Sequence, residues 1–379
     1  MSSSAKGHAP TVLGEVSGAF ADLGTFLPLV IGMFALQQVD PGGVLIGFGV
    51  FALLTALAYR RPVPVQPMKA VAAVVIAGGL GAAGVAATSI LLGLILIGLA
   101  AFGLVGRLGR LIPTTVMLGI QLGVGLYLAW AGIKLMLPQP WVGIAALALL
   151  LLTYPTRFKP LAALSIIVAA VAWGIWQAPT TLQQLEPGLY LPALALPDLP
   201  AFWQATANVL LPQLALTLTN ATVITAAIAA EYYPRDRERI TPDRLSLSTG
   251  VFNLALAPFG GFPMCHGAGG LVVQHRFGAR SGWAPALFGV TCLALGLSLG
   301  PQAAALLTLL PLAAVGALLL MAGFDLAISK RLRQSSPDRL LVIVVTGIAC
   351  VLVNVAFGLL VGLLAETLRA RLRPGTDLD

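Results

Sequence analysis

Long apolar stretches, separated by short breaks of charged residues, glycine or proline, cover almost the whole chain. Several of them, such as 83–105 and 112–133, hold the roughly 20 apolar residues that a transmembrane helix needs. The pattern therefore predicts an all-α polytopic membrane protein with fourteen transmembrane helices. The predicted ranges are 11–36, 42–59, 67–79, 83–105, 112–133, 140–155, 160–177, 202–230, 244–258, 265–278, 283–299, 302–329, 338–353 and 355–371.

The composition of the chain agrees with this prediction. Hydrophobic residues make up 58% of the 379 residues and charged residues only 9%, whereas a soluble domain carries roughly 25% charged residues. The net charge of +8 could suggest a nucleic-acid partner. If the amino terminus lies inside, however, every basic residue except Lys69 and Lys134 falls in a cytoplasmic segment, as the positive-inside rule requires. We therefore expect no nucleic-acid partner and a protein of the cell (inner) membrane, with cytoplasmic tails at 1–10 and 372–379.

A proline-rich segment divides the chain into two halves. Residues 178–201 contain five prolines and no basic residue, which is typical of an extracytoplasmic loop. Seven predicted helices precede this loop, in 11–177, and seven follow it, in 202–371. Because seven is odd, the two halves would have opposite orientations in the membrane, which is the inverted-repeat layout of many secondary transporters.

The third predicted helix of each half is short and interrupted by proline, in 62–75 and 259–273. Paired segments of this kind point to the binding site in transporters. We expect helices to start near Met68 and His266, so that two short half-helices meet at the midplane with unpaired N–H groups and the positive ends of their dipoles. Such helix ends bind anions. The alternative is that both segments are proline kinks packed for shape.

Polar residues within the predicted helices are the candidates for a site. Lys69 lies at the start of the first half-helix and would either face an anion or reach the cytoplasmic surface. His266, at the start of the second, would donate to an anion, titrate or serve in packing. In the eighth predicted helix, Gln213, Thr217 and Asn220 share one face, either as ligand contacts or as contacts between helices.

Acidic residues are few, and Asp22 is the main candidate among them because its place in the first predicted helix buries it. Asp325 lies near a helix end, where pairing with Lys330 is the ordinary expectation. The chain contains no HExxH metalloprotease string and no GxxxxGK[ST] nucleotide-binding string. The histidines and cysteines do not have the spacing of a zinc site. We therefore expect neither an enzyme nor a bound metal or cofactor.

Four segments of the chain resemble the motifs of the molybdate transporter family of plants and microbes, which is related to the sulfate permeases. They are GEVSGAFADLGTFLPLVIG, PVPVQPMKAVAAV, PQLALTLTNATVIT and FGGFPMCHGAGGLVVQHRFGARSG. The resemblance implies the seven-plus-seven fold shared with uracil permease. In that fold a core domain holds the substrate between the third and tenth helices, and a gate domain contains helices five to seven and twelve to fourteen. The substrate-binding residues that it implies are Thr25, Gln66, Met68, Lys69, Thr217, Asn220, Cys265, His266, Gly267 and Ala268.

The expected function is secondary active import of molybdate by alternating access. Moving a dianion into a negative-inside cell costs roughly 4.6 kcal/mol per 100 mV, which two co-transported protons would offset electrically. Asp22 is the candidate proton carrier, because its ionised form would repel the substrate. The alternatives are transport of sulfate, tungstate or another anion on the same fold, and an anion channel; 202–230 lacks the acidic residue expected of a nucleobase carrier. The expected partners are the oxyanion, protons and the lipid bilayer, with a homodimer as the candidate assembly.

Overall fold

Helices form nearly all of the regular structure in a computed structural model that describes residues 10–35, 39–153, 159–177, 185–304, 309, 311–328 and 330–372. The helices before the proline-rich segment are α1 Val12–Phe20, α2 Leu23–Ala35, α3 Pro41–Tyr59, α4 Lys69–Ile76, α5 Ala82–Ala101, α6 Val105–Leu111, α7 Thr114–Met136, α8 Pro140–Thr153 and α9 Lys159–Gln177. The helices after it are α10 Leu199–Tyr232, α11 Pro242–Leu256, α12 Ala268–Arg276, α13 Trp283–Leu299, α14 Leu312–Ala327, α15 Lys330–Arg333, α16 Pro337–Leu352 and α17 Val355–Leu372. Two short strands, β1 Gln66–Pro67 and β2 Met264–Cys265, precede α4 and α12.

Within the described residues, five helices are long and apolar enough to cross a membrane: α3, α5, α7, α10 and α13 with the 3₁₀ turn that follows it. A sixth span results if the bent pair α1 and α2 counts as one, and three further apolar helical segments are shorter: Pro140–Leu152, Val168–Gln177 and Leu312–Ala327. The fold is therefore that of a multi-pass helical protein. The predicted count of fourteen spans is not established by the lengths of the described helices.

Two predicted helices differ from the observed ones for a local reason. The predicted helix 11–36 divides into α1 and α2, which are bent by 41°. Pro28 lies in the second turn of α2, where its ring removes one backbone hydrogen bond and crowds the preceding turn. Within the predicted helix 302–329, the described residues show the end of the 3₁₀ turn Gly300–Ala304 and helix α14, which begins at Leu312. Apolar residues flank both the bend and the 3₁₀ turn, and the composition alone therefore hides them.

Glycines bring helices from opposite halves of the chain into backbone contact. A Cβ atom at Gly125 of α7 would lie 2.5 Å from the carbonyl oxygen of Gly323 in α14, and one at Gly323 would lie 2.5 Å from the carbonyl oxygen of Gly125. Gly132 and Gly316 make the same reciprocal approach two turns further along. Small residues allow such close packing where lipid offers no hydrophobic driving force. Helix α3 packs on α13, and α5 on α11, through similar glycine contacts.

The described part of the proline-rich loop, 185–198, is irregular and lies against the ends of α3 and α13. The Tyr190 N–H donates to the Leu297 carbonyl over 2.8 Å, and its hydroxyl donates to Asp40 Oδ2 over 2.7 Å. Asp40 also caps α3 by accepting from two of its first amides. Burial, together with the hydrogen bond to Asp40 and the charge of Asp40, raises the pKa of Tyr190 to about 12. Residues 178–184 lie outside the described residues, and α10 begins at Leu199, inside the predicted loop.

Candidate substrate-binding site

The two half-helices begin side by side at a pair of antiparallel strands. Gln66 pairs with Cys265 and Pro67 with Met264. On the edge of β2 away from β1, the backbone of Met264 forms two hydrogen bonds of 2.8 Å with the side chain of Asn253 in α11. The Asn253 amide thus pairs with the groups that a third strand would otherwise bind. Helix α4 starts two residues after β1, as expected from Pro67, and α12 starts three residues after β2. The starts of both half-helices therefore lie close together.

Both helix starts leave backbone donors available. The first turn of an α-helix has no intrahelical acceptors for its N–H groups, and the described residues show no side-chain cap at Met68 or Gly267, the residues that precede α4 and α12. One donor of α4 is used inside the protein, because the Ala70 N–H donates to Gln213 Oε1 over 3.0 Å. Gln213 in turn donates to Thr217 Oγ1 over 3.0 Å. These two residues of the predicted polar stripe thus support α4 as contacts between helices.

A cavity of about 210 Å³ opens beside the half-helix starts. It is bounded by the break between α1 and α2, by β1, α2, α4 and α12 on one side, and by α7 and α14 on the other. The lining residues are Asp22, Thr25, Leu29, Gln66, Lys69, Leu128, Gly269, Gly270, Val273, Ala322, Asp325 and Leu326. Four of the sequence-predicted residues therefore share one cavity: Asp22, Thr25, Gln66 and Lys69.

Gln66 connects an acid to a base within this cavity. Its side-chain Nε2 donates to Asp22 Oδ2, and its Oε1 accepts from Lys69 Nζ over 3.4 Å. This arrangement requires glycine on α12 and just before it. A Cβ atom at Gly267 would overlap Gln66 Oε1, and one at Gly270 would lie 2.9 Å from Asp22 Oδ2. The lack of side chains at these positions lets Gln66 and Asp22 reach the start of α12.

Gly269 presents the backbone of α12 to the cavity itself. It is exposed, and a Cβ atom built there would meet no described atom within 4 Å. The positive end of the α12 dipole and the Lys69 ammonium therefore face the same space, and both favour an anion. Asp22 and Asp325 line that space as well. Asp325 is a site candidate that sequence reasoning had assigned to pairing at a helix end.

His266 lies behind the site, with both ring nitrogens bonded to the protein. Nδ1 is 3.0 Å from the Pro64 carbonyl oxygen, and Nε2 is 2.8 Å from Ser248 Oγ. Because a carbonyl only accepts, Nδ1 carries the hydrogen in the neutral ring, and Nε2 accepts from Ser248. The fully buried ring thereby fixes the segment ahead of α12. His266 is one of seven sequence-predicted residues that do not line the cavity, which are Met68, Thr217, Asn220, Cys265, His266, Gly267 and Ala268.

The fold is shared with solved membrane transporters. The chain aligns with the transmembrane domain of a cyanobacterium bicarbonate transporter, BicA, at a TM-score of 0.67 and 17% identity, over 94% of this chain and 98% of that one. It aligns with SLC26A9 at a TM-score of 0.65 and 13% identity, over 95% of this chain and 65% of that one. At these identities the likeness establishes the fold alone. Together with the apolar helices, it places the protein among multi-pass membrane proteins with this transporter fold.

The family follows from the sequence comparison. A family model described as "Molybdate transporter of MFS superfamily" matches residues 14–128 and 205–326, which include every residue that lines the cavity. Molybdate transporter 1 of Arabidopsis thaliana is 30% identical over 89% of this chain and 84% of its own length. Molybdate transporter 1 of Chlamydomonas reinhardtii is 29% identical over 92% of this chain and 90% of its own length. The chain belongs to the molybdate transporter family, as its motifs predicted, and that family consists of transporters rather than enzymes.

A short hydrolase-like string does not change this assignment. Residues 296–300, GLSLG, have the GxSxG spacing. That motif places its serine on a turn between a strand and a helix. Here Ser298 lies near the end of α13, and its carbonyl accepts from Gly188 of the loop.

Proposed function

We propose that the protein is a secondary active transporter that imports molybdate together with protons. The observation that carries the proposal is the cavity of about 210 Å³ in which Lys69 and the exposed Gly269 in the first turn of α12 face the same space. Two relatives that match most of the chain bear the name molybdate transporter. A tetrahedral dianion combines the charge and the acceptor oxygens that an ammonium group and backbone amides can bind.

The proposed architecture consists of two inverted repeats of seven helices, with a core and a gate domain. Support comes from the pairing of helices. In an inverted repeat α3 corresponds to α11 and α5 corresponds to α13, so the pair α3–α13 corresponds to the pair α11–α5. Both pairs pack through glycines. The same relation exchanges β1 with β2 and α4 with α12. The cavity has the core elements α2, α4 and α12 on one side and the gate helices α7 and α14 on the other. Rocking of the gate against the core would therefore alternate access to the cavity.

Proton coupling is proposed from the charges in the cavity. Two unit charges 4 Å apart interact with about 4 kcal/mol at an effective dielectric constant of 20. An ionised Asp22 beside a bound dianion is therefore strongly unfavourable, and protonation removes the repulsion. Co-transported protons also offset the electrical cost of bringing a dianion inside, roughly 4.6 kcal/mol per 100 mV. Asp22 is the proposed carrier, because it lines the cavity and contacts both Gln66 and the start of α12.

The proposal also covers the membrane location of the protein, the orientation of its termini, its ligands and its assembly. The basic residues follow the positive-inside rule, which supports cytoplasmic termini and a location in the cell (inner) membrane. Molybdate and protons are the proposed ligands. A homodimer is the proposed assembly, and chemical cross-linking of the purified protein would test it.

The test is uptake of labelled molybdate into proteoliposomes, with and without an acid exterior. We expect saturable uptake that an inward proton gradient accelerates and that tungstate inhibits. Asp22→Asn should abolish the acceleration. Asp198→Asn is the matched control, because Asp198 caps α10 at the surface and asparagine caps equally well.

Each competing function gives a different result in that assay. Flux that does not saturate and ignores the proton gradient would identify a channel. Inhibition by bicarbonate, sulfate or uracil but not by tungstate would show that the cavity serves another cargo. Full proton dependence in Asp22→Asn would remove Asp22 from the mechanism.

A further inference from the structure

One buried polar atom next to the site lacks a partner. Gln274 lies on α12 and is 4% exposed, and no group among the described residues donates a hydrogen bond to its side-chain oxygen Oε1. Buried side-chain oxygens are paired in the large majority of cases, so an unpaired one needs an explanation. Gln274 itself does not line the anion cavity, so the proposed binding of the anion gives this side chain no role.

Gln274 shares a second, much smaller chamber with Asp22. The chamber has a volume of about 10 Å³, at the lower limit for a water molecule. Apart from these two residues its walls are apolar. The lining residues are Ala19, Asp22, Leu23, Phe26, Val65, Gln274 and Phe288. Asp22 thus stands between the anion cavity on one side and Gln274 on the other.

The geometry of α12 explains this arrangement. Gly270 and Gln274 are four residues apart and therefore share one face of the helix. A Cβ atom at Gly270 would lie 2.9 Å from Asp22 Oδ2, so the Asp22 carboxyl group rests on that same face. Gln274 is the next side chain along it.

The charged groups around Asp22 are accounted for on each neighbouring element. Lys69 of α4 reaches Asp22 through Gln66, and Asp325 of α14 lines the opposite side of the anion cavity. Glu15 of α1 accepts from three backbone amides ahead of α13 and at its start. His275 of α12 stacks on Tyr232, with ring centroids 4.1 Å apart. None of these charged groups lines the small chamber, in which Gln274 is the polar side chain next to Asp22 among the described residues.

We propose that Gln274 is a positioning residue for the transported proton: its side-chain oxygen accepts a hydrogen bond directly from protonated Asp22. An ionised carboxylate only accepts hydrogen bonds, whereas a protonated carboxyl group has one O–H donor. Ionised Asp22 therefore leaves Gln274 unpaired, and protonated Asp22 satisfies it. Gln66 has the opposite effect, since its N–H stabilises the ionised form. This inference rests on the proposed proton coupling at Asp22.

The test compares the pH dependence of molybdate uptake in proteoliposomes for three proteins. They are the unaltered protein, Gln274→Met, which keeps the side-chain length without the acceptor, and Thr55→Val. Thr55 is a matched control, because its buried hydroxyl also lacks a partner among the described residues but lies on α3, outside both cavities.

Loss of the acceptor should move the pH midpoint of uptake in Gln274→Met about one unit toward acid. Thr55→Val should keep the original midpoint. An unchanged midpoint in Gln274→Met would overturn the inference. A shift toward alkaline pH would also overturn it, because that sign means that Gln274 stabilises the ionised form through a bridging water molecule.

The uptake assay itself separates this inference from the proposed function. If the unaltered protein shows no pH dependence of uptake, proton coupling itself is wrong. If uptake by the unaltered protein depends on pH and Gln274→Met behaves identically, only the role of Gln274 is wrong.

Infrared spectroscopy gives a readout that does not depend on transport. The carboxyl band that disappears in Asp22→Asn should move to higher frequency in Gln274→Met. Should Gln274→Met not fold, Gln274→Asn withdraws the amide by one methylene and should give the same acid shift and the same band movement.

Discussion

Gly269 offers the sharpest test of where the anion binds. Its Cα faces the cavity, and an added methyl group would meet no described atom within 4 Å. Gly269→Ala therefore changes the wall of the cavity without forcing any neighbour to move. Alanine also favours the helix over glycine by up to about 1 kcal/mol. The variant should fold at least as stably as the unaltered protein.

The expected effect on transport follows from the distance at which an anion must approach. An N–H···O hydrogen bond needs its heavy atoms about 2.9 Å apart, whereas a methyl carbon holds other atoms at about 3.5–4.0 Å. The methyl group would thus displace an anion that bonds to the first amides of α12. Losing one charge-assisted hydrogen bond costs about 1.5–3 kcal/mol, which corresponds to about a 10- to 140-fold rise in KM.

The assay is the KM for molybdate uptake, combined with thermal unfolding of the purified protein. Gly98→Ala is the matched control: Gly98 lies within helix α5, a methyl group there also meets no described atom within 4 Å, and the residue is remote from the cavity. We expect a higher KM only in Gly269→Ala, with unfolding temperatures equal to or above the original in both. An unchanged KM in Gly269→Ala would refute the idea that the anion contacts the start of α12.

Three other substitutions test further parts of the structure. Lys69→Met should raise the KM at least about 10-fold through loss of a charged hydrogen bond, and Lys69→Arg should recover most of it; equal values for all three proteins would remove Lys69 from the site. Glu15→Gln should lower stability by about 1–3 kcal/mol at unchanged KM, because the buried carboxylate accepts from three backbone amides; an unaltered melting temperature would contradict this. Burial, followed by the bond to Asp40 and the charge of Asp40, raises the pKa of Tyr190 from an ordinary 10.0 to about 12, so the neutral hydroxyl stabilises the fold fully below pH 10 and less as pH rises from 10 toward 12. Tyr190→Phe should melt at a lower temperature and lack that alkaline loss, and identical melting curves across this range would disprove the linkage.

The start of the first half-helix was predictable because a single residue type determines it. Pro67 cannot donate a backbone hydrogen bond and is tolerated at a helix boundary, and α4 indeed begins at Lys69. The pairing of β1 with β2 was not predicted. Two-residue strands are too short to show an alternating pattern, and their partners are about 200 residues apart in the chain. Tertiary packing alone brings them together.

The site was predictable only in part, for a similar reason. Asp22 and Lys69 stand out because ionisable residues are rare in apolar segments. Asp325 carries the same signal, but its position near the end of a helix suggested surface pairing. The glycine contacts between α7 and α14 place the end of α14 that carries Asp325 beside the cavity. The sequence alone does not show how closely these two helices approach each other. Gln213 shows the converse: a polar stripe looks the same whether it binds a ligand or, as here, caps a helix.

The chain from Asp22 through Gln66 to Lys69 suggests how proton and anion binding depend on each other. In the proposed mechanism, Asp22 is ionised in the absence of substrate and balances the charge of Lys69 across the Gln66 amide. A bound dianion would supply that balancing charge instead, and its negative charge would favour the protonated form of Asp22. Coupling between two binding events is reciprocal by thermodynamic necessity. If Asp22 is the proton carrier as proposed, its protonation strengthens anion binding by the same factor by which the anion strengthens proton binding. Gln66, which contacts both Asp22 and Lys69, is the group through which both effects would act.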